Sequence, residues 1–229
     1  MKRLMQVRDL EQRRFADHPV FTRMADVPME TLLPALAYTT GFWAMGFQDL
    51  IRMVDESVED AELKKYAGSH RAEDTGHQLW LFDDLQKYGY GPHSKIFSFF
   101  ENENFAARLH TYRVVSQLLR LNDDRLRVAL LLAVESAGHV FFAWMARLLA
   151  ERGVDKDLKY FGGHHIAVEK AHTVFESTSE TAIADIELEA PVAEVGVEMV
   201  RRVHQSFSRL ADDLIRQLDD PRRLAELRS

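Results

Sequence analysis

The strongest constraint on this chain is residues 128–150, VALLLAVESAGHVFFAWMARLLA, which are apolar almost without interruption. The length suffices to cross a bilayer. The stretch carries Glu135, His139 and Arg147, and no second span of comparable length accompanies it. A carboxylate near the middle of a lone membrane helix costs roughly 3 kcal/mol on insertion scales. The stretch therefore reads as a central helix of a non-membrane protein, buried on most sides, and such a helix needs neighbours on most sides.

Those neighbours read as helices too. Apolar residues recur at helical spacing through the rest of the chain, with breaks at Gly, Pro and Asn/Asp clusters. One helix is predicted from near Pro28 to about Asp55, with Gly41 and Gly46 marking close packing or a cavity wall. A shorter one follows over 59–66, another over 70–89, and a turn at 89–92 (GYGP). A helix over 105–121 is closed by Asn122, Asp123 and Asp124, which can cap the apolar helix that ends at Gly153. Two more are predicted over 158–177 and 192–218, the last with Pro191 at its start and Pro221 past its end. No linker or low-complexity segment divides the 229 residues. The expectation is one all-α domain over 1–229 of about seven helices, its core spanning about 15–219.

Composition excludes several functions. A formal charge of -7 supplies no positive field for a polyphosphate chain, so nucleic acid is not an expected partner. The absence of cysteine removes disulfides, zinc ribbons, thiolate clusters and cysteine nucleophiles. The N-terminal residues have scattered charges and no apolar segment, so a cytoplasmic protein is expected.

The chemistry concentrates where carboxylates and imidazoles coincide. E-x-x-G-H occurs twice, as Glu73 to His77 and as Glu135 to His139. In His165-Ile166-Ala167-Val168-Glu169-Lys170-Ala171-His172, the residues His165, Glu169 and His172 fall within roughly 60° on one helix face. Glu135 sits in a segment apolar nearly all round, and a buried carboxylate needs a proton, an ion pair or a cation. Neutral imidazole cannot balance it, but both group types ligate divalent metals. Glu73, His77, Glu135, His165, Glu169 and His172 together offer three carboxylates and three imidazoles, enough for two first-row metals. Nitrogen and oxygen donors with open positions suit two Fe ions cycling between Fe(II) and Fe(III), with O2 as co-substrate; Mn meets the same donors.

These residues resemble the haem-oxygenase-like diiron oxidases and oxygenases, relatives in fold of TenA-type and PqqC-type proteins. The resemblance is carried by His18-Pro19-Val20-Phe21, the long aromatic-rich helix after it, the GHQLWLF run at 76–82, Glu135, and the late H-x-x-x-E-x-x-H. It implies a haem-oxygenase-like bundle and carries His77, Glu135, His165, Glu169 and His172 over as ligands. Where the family places its first carboxylate this chain has His70; Glu73 is the substitute, with Asp74 or Glu62 as alternatives. His70, His139 and Asp74 are the extra candidates as ligands or as supports of the ligands. The resemblance further implies a homodimer and O2-dependent oxidation of a small amine, amino acid or carboxylate, by N-oxygenation, oxidative C–C cleavage or nitrile formation. Tyr38, Phe42, Trp43, Tyr160 and Phe161 are the candidates to line the pocket of that small-molecule substrate. The alternatives are a TenA- or PqqC-like enzyme without a diiron site, a haem-degrading enzyme with His18 as ligand, or a metal-binding helical bundle of non-enzymatic role.

Overall fold

In the computed structural model, residues 1–87, 102–169 and 183–220 are described. Regular structure among them is entirely helical, and seven helices exceed ten residues: α1 (Lys2–Ala16), α3 (Met29–Ser57), α4 (Ala61–Asp74), α5 (His77–Lys87), α6 (Phe105–Leu118), α7 (Asp124–Glu151) and α9 (Ala190–Asp219). Two one- to two-turn helices, α2 (Pro19–Ala25) and α8 (Gly163–Glu169), complete the set, with 3-10 turns at Asn102–Asn104 and Asp155–Asp157. This is an all-α bundle of about seven principal helices.

The three longest helices, α3, α7 and α9, pack on one another and form the centre. Helices α1 and α2 cover α9 on one side, and α1 also meets α7; α6 lies between α3 and α9, while α4, α5 and α8 lie against α3 and α7. α7 is the helix anticipated from residues 128–150. It is long and apolar enough to span a bilayer by composition, and it buries residues on every face, from Leu126 to Leu149. Gly196 lies on the buried face of α9, where a Cβ would come within 2.4 Å of a Leu4 methyl and 2.8 Å of a Leu126 methyl. Three helices close on that point because glycine occupies it.

Helix starts follow the capping chemistry. Asp60 caps α4 by accepting from the backbone N–H groups of Glu62 and Leu63 at 3.0 and 2.9 Å, and Asp123 caps α7 by accepting from Arg125 at 2.9 Å. Asp124 then accepts from the backbone N–H groups of both Glu59 and Asp60 at 2.8 Å. One carboxylate thus fastens the start of α4 to the start of α7. Its own acidity is raised, because these hydrogen bonds and Arg127 outweigh the burial that opposes ionisation.

Three expectations of boundary change. Residues 2–16 form a helix that the sequence reading left out, held by burial of Leu4, Met5 and Phe15. Residues 59–89 divide later than expected, at Thr75–Gly76, so α4 runs through His70 to Asp74. The helix expected from Leu158 starts at Gly163, because the preceding backbone is committed elsewhere: Asp84 accepts from the N–H groups of Lys159 (2.7 Å), Tyr160 (2.7 Å) and Phe161 (3.3 Å). The expected turn at 89–92 and Pro221 lie outside the described residues.

Candidate metal centre

Six helices surround one cavity. α3 contributes Trp43, Phe47 and Gln48; Asp74 ends α4, His77 begins α5, Glu135 and Phe142 come from α7, His165 from α8 and Phe207 from α9. No Lys or Arg lines it among the described residues.

The junction of α4 and α5 aims two of these groups. Thr75 leaves the helix in an extended conformation and Gly76 has φ of 99°, a left-handed value that a β-carbon resists. Gln48 holds the turn by donating to the Asp74 carbonyl at 3.0 Å. Asp74 and His77 thereby face each other, with Asp74 Oδ1 at 3.1 Å from His77 Nδ1. One turn earlier on α4, His70 Nε2 stands 3.5 Å from Asp74 Oδ2 and 3.4 Å from Glu135 Oε1. His70 is fully buried, Asp74, His77 and His165 nearly so, and the Glu135 side chain is 19% exposed.

His165 is oriented from behind. Its Nδ1 lies 2.7 Å from the Tyr160 carbonyl oxygen, so Nδ1–H donates there and the Nε2 lone pair faces away from that bond. The Tyr160 carbonyl is fixed in turn, since its own residue's N–H and both adjacent ones end on Asp84. Burial pushes the Asp84 carboxyl up, and the three backbone donors pull it back. The His165 ring stands edge-on to His77 at 5.0 Å between centroids, and His77 stacks on Trp80 at 4.1 Å.

The sequence-predicted residues divide as follows. His77, Glu135 and His165 line the cavity. Glu73 is half-buried on α4 with its Oε2 shielded from solvent, and the helix breaks before His77, so the two do not share a helix face as the spacing suggested. Asp74 takes the place beside His77, and His70 joins Asp74 and Glu135 in a group whose ligand atoms all lie within 4.8 Å of one another. His139 is exposed on α7, away from the cavity. Glu62, at the first turn of α4, is exposed and pairs with Lys65. The backbone of Glu169 ends α8; its side chain and His172 lie outside the described residues.

Among the aromatic candidates, Trp43 and Tyr160 line the cavity. Tyr38 and Phe42 do not; Phe42 meets Tyr112 edge-on at 5.3 Å. Phe161 is fully buried against Tyr160. His18 caps α2 through Nδ1 and places Nε2 3.3 Å from Asp212. Sequence reading missed Phe47, Phe142 and Phe207, whose signal was indistinguishable from core packing, and missed Asp84.

The electrostatics limit what this arrangement can be. Two buried carboxylates, Asp74 and Glu135, meet imidazoles at 3.1–3.5 Å, longer than the roughly 2.7–2.9 Å of good charge-assisted hydrogen bonds. Donor atoms around a first-row ion, each about 2.0–2.2 Å from it, stand about 3–4 Å apart. The donor set therefore fits such an ion. No protein-family model and no curated protein matches the chain.

Proposed function

We propose that this protein is a non-haem diiron enzyme, an O2-dependent oxidase or oxygenase acting on a small amine, amino acid or carboxylate. The observation supporting it most is the group of His70, Asp74 and Glu135, with ligand atoms within 4.8 Å of one another, in a cavity also lined by His77 and His165. Asp74, His77, Glu135 and His165 would hold the ions, with Glu169 and His172 adding the donors that their spacing places after His165. When bound, iron supplies the electrons that reduce O2 beside the substrate.

The chain's own residues supply the rest. Asp74 and Glu135 contribute the negative charge that makes a dry interior receptive to cations. The Tyr160 carbonyl keeps the proton of His165 on Nδ1, so Nε2 is the donor atom. His70 lies within reach of both carboxylates, where it either ligates or carries a proton between their oxygens. Trp43, Phe47, Phe142 and Phe207 make much of the remaining lining apolar, which lowers the local dielectric and strengthens the charge interactions beside them.

The test is anaerobic loading with Fe(II), metal analysis, then addition of O2. The expected result is about two irons per chain and O2 uptake as iron is oxidised. A double variant, Asp74→Ala with Glu135→Ala, should keep its helical circular dichroism and lose the iron. Wild-type iron content in that variant would overturn the reading.

A further inference from the structure

Helix α6 is apolar on two opposite faces. Inward, Ala107, Thr111, Val114 and Leu118 are buried, and the helix packs against α3 and α9. The fit to α3 is close, since a Cβ on Gly46 would lie 2.5 Å from the Thr111 methyl. Outward stand Phe105, Leu109, Tyr112, Ser116 and Leu119, at steps of four, three, four and three residues. At about 100° per residue these five fall within roughly 80° of one another, opposite the buried face. Phe105 is 53% exposed, Tyr112 52% and Leu119 75%. Single exposed apolar residues are ordinary, but a row of them at a 3.5-residue period has the form of a coiled-coil seam.

The flanks of this seam are cationic. Arg113 and Arg120 each follow a seam residue directly and stand along one edge, and neither pairs with an acid among the described residues. At the other edge Arg108 is buried over the Phe105 ring, 5.8 Å from its centroid. Residues 105–119 contain no Asp or Glu, although the chain as a whole carries -7. A second copy of α6 laid along the seam would therefore set arginine against arginine. A membrane surface fits no better, because the seam is narrow and anionic lipid is held by clusters of about 4–8 basic residues.

We propose that the outer face of α6 docks an amphipathic helix of a partner protein, apolar at heptad spacing and carrying Glu or Asp beside its own seam. The apolar row supplies the contact area. Arg113 and Arg120 select the partner, because charges flanking a coiled-coil seam decide which helices pair. Ser116, the small residue of the row, leaves room for a large side chain of the docked helix. This docking surface stands independently of the metal centre.

The test is a fluorescence-anisotropy titration of the full chain against two labelled helical peptides of about 18 residues. Both carry Leu at the seam positions; one has Glu beside the seam and the other Lys. The Glu peptide should bind at least about 10-fold tighter, and the gap should shrink as salt rises from about 0.1 to about 0.5 M. Arg113→Glu combined with Arg120→Glu should invert the preference. Leu119→Asp should weaken both peptides at least about 10-fold, and both variants should keep the Tm of the wild type, since the three side chains stand outside the core. Peptides bound alike, or a preference that survives both variants, overturns the proposal. Self-association of the chain alone that Leu119→Asp abolishes in sedimentation would also overturn it, making a second copy the occupant. Binding to phosphatidylserine vesicles that both variants lose would do the same in favour of lipid.

Discussion

The pattern E-x-x-G-H occurs at 73–77 and at 135–139, and the two copies are built differently. In the first, the helix stops: Thr75 is extended, Gly76 adopts φ of 99°, and His77 opens a new helix. In the second, α7 runs through Gly138 without interruption. Breaking the chain turns His77 into the cavity, whereas continuity turns Glu135 inward and His139 outward. The first copy lines the cavity with Asp74 and His77, the second with Glu135 and not its His139. The second positions also part: Asp74 joins His70 and Glu135, while Ser136 pairs with His204 at 3.1 Å. Identical spacing therefore carries no fixed geometry. The surroundings decide, with one copy at a helix junction held by Gln48 and the other within the long apolar helix α7.

The comparison breaks most directly at the metal. His77→Ala and Glu135→Ala should each weaken Fe(II) or Mn(II) binding by about 100-fold or more, whereas His139→Ala should change it less than about threefold. Calorimetric or competition titration would read this pattern; equal losses within the second copy would erase the distinction. Next in size is the support behind His165. Asp84→Asn replaces an acceptor facing three N–H groups with one that also donates, and metal affinity should drop about 10- to 100-fold. A purely structural role for Asp84 would lower Tm and spare the affinity of the protein that remains folded.

The two glycines should respond in opposite directions. Gly76→Ala forces a β-carbon into the left-handed region and should cost about 1 kcal/mol, whereas Gly138→Ala improves helix propensity in open space and should gain about 0.5–1 kcal/mol. Chemical denaturation measures both, and a same-signed pair would mean the two backbones are alike. Gly196→Ala is a useful contrast, since its β-carbon meets Leu4 and Leu126 and should cost about 1–3 kcal/mol.

The smallest effect belongs to His204, the partner of Ser136. Burial lowers its pKa below the ordinary 6.5, opposed in part by its hydrogen bond to the Val200 carbonyl. The unfolded chain then binds the proton first as pH falls, so stability declines on acidification through about 6.5. Tm should drop by roughly a few degrees between pH 7 and pH 5, and by less in His204→Gln.

Much of the bundle was legible because long apolar periodicity and capping residues act locally. Asp123 and Asp124 at the start of α7, and Pro191 in the first turn of α9, stand where helix-start chemistry puts them. The α4–α5 junction was not legible, since an isolated glycine inside a helical pattern does not announce whether the helix continues, and the two copies give both answers. Of the cavity, Glu135 could be read from the cost of burying a lone carboxylate among apolar neighbours. Asp74 could not, because its place comes from the packing of α4, which sets His70 and Asp74, one turn apart, beside Glu135 of a helix some 60 residues on. Asp84 was invisible for a different reason: its partners are backbone groups some 75 residues away, which leave no mark on its neighbours in sequence.

The joint made by Asp124 sets a common zero for two measuring rods. His70 lies ten residues beyond Asp60, and Glu135 eleven beyond Asp124, so at about 1.5 Å per residue both stand roughly 15–17 Å from the point where their helices are pinned together. Their meeting at 3.4 Å is thus a matter of equal counting from a shared origin. Inserting or deleting a single residue on either rod between pin and meeting point would swing one partner by about 100° and offset its height, leaving each helix intact and the rendezvous lost.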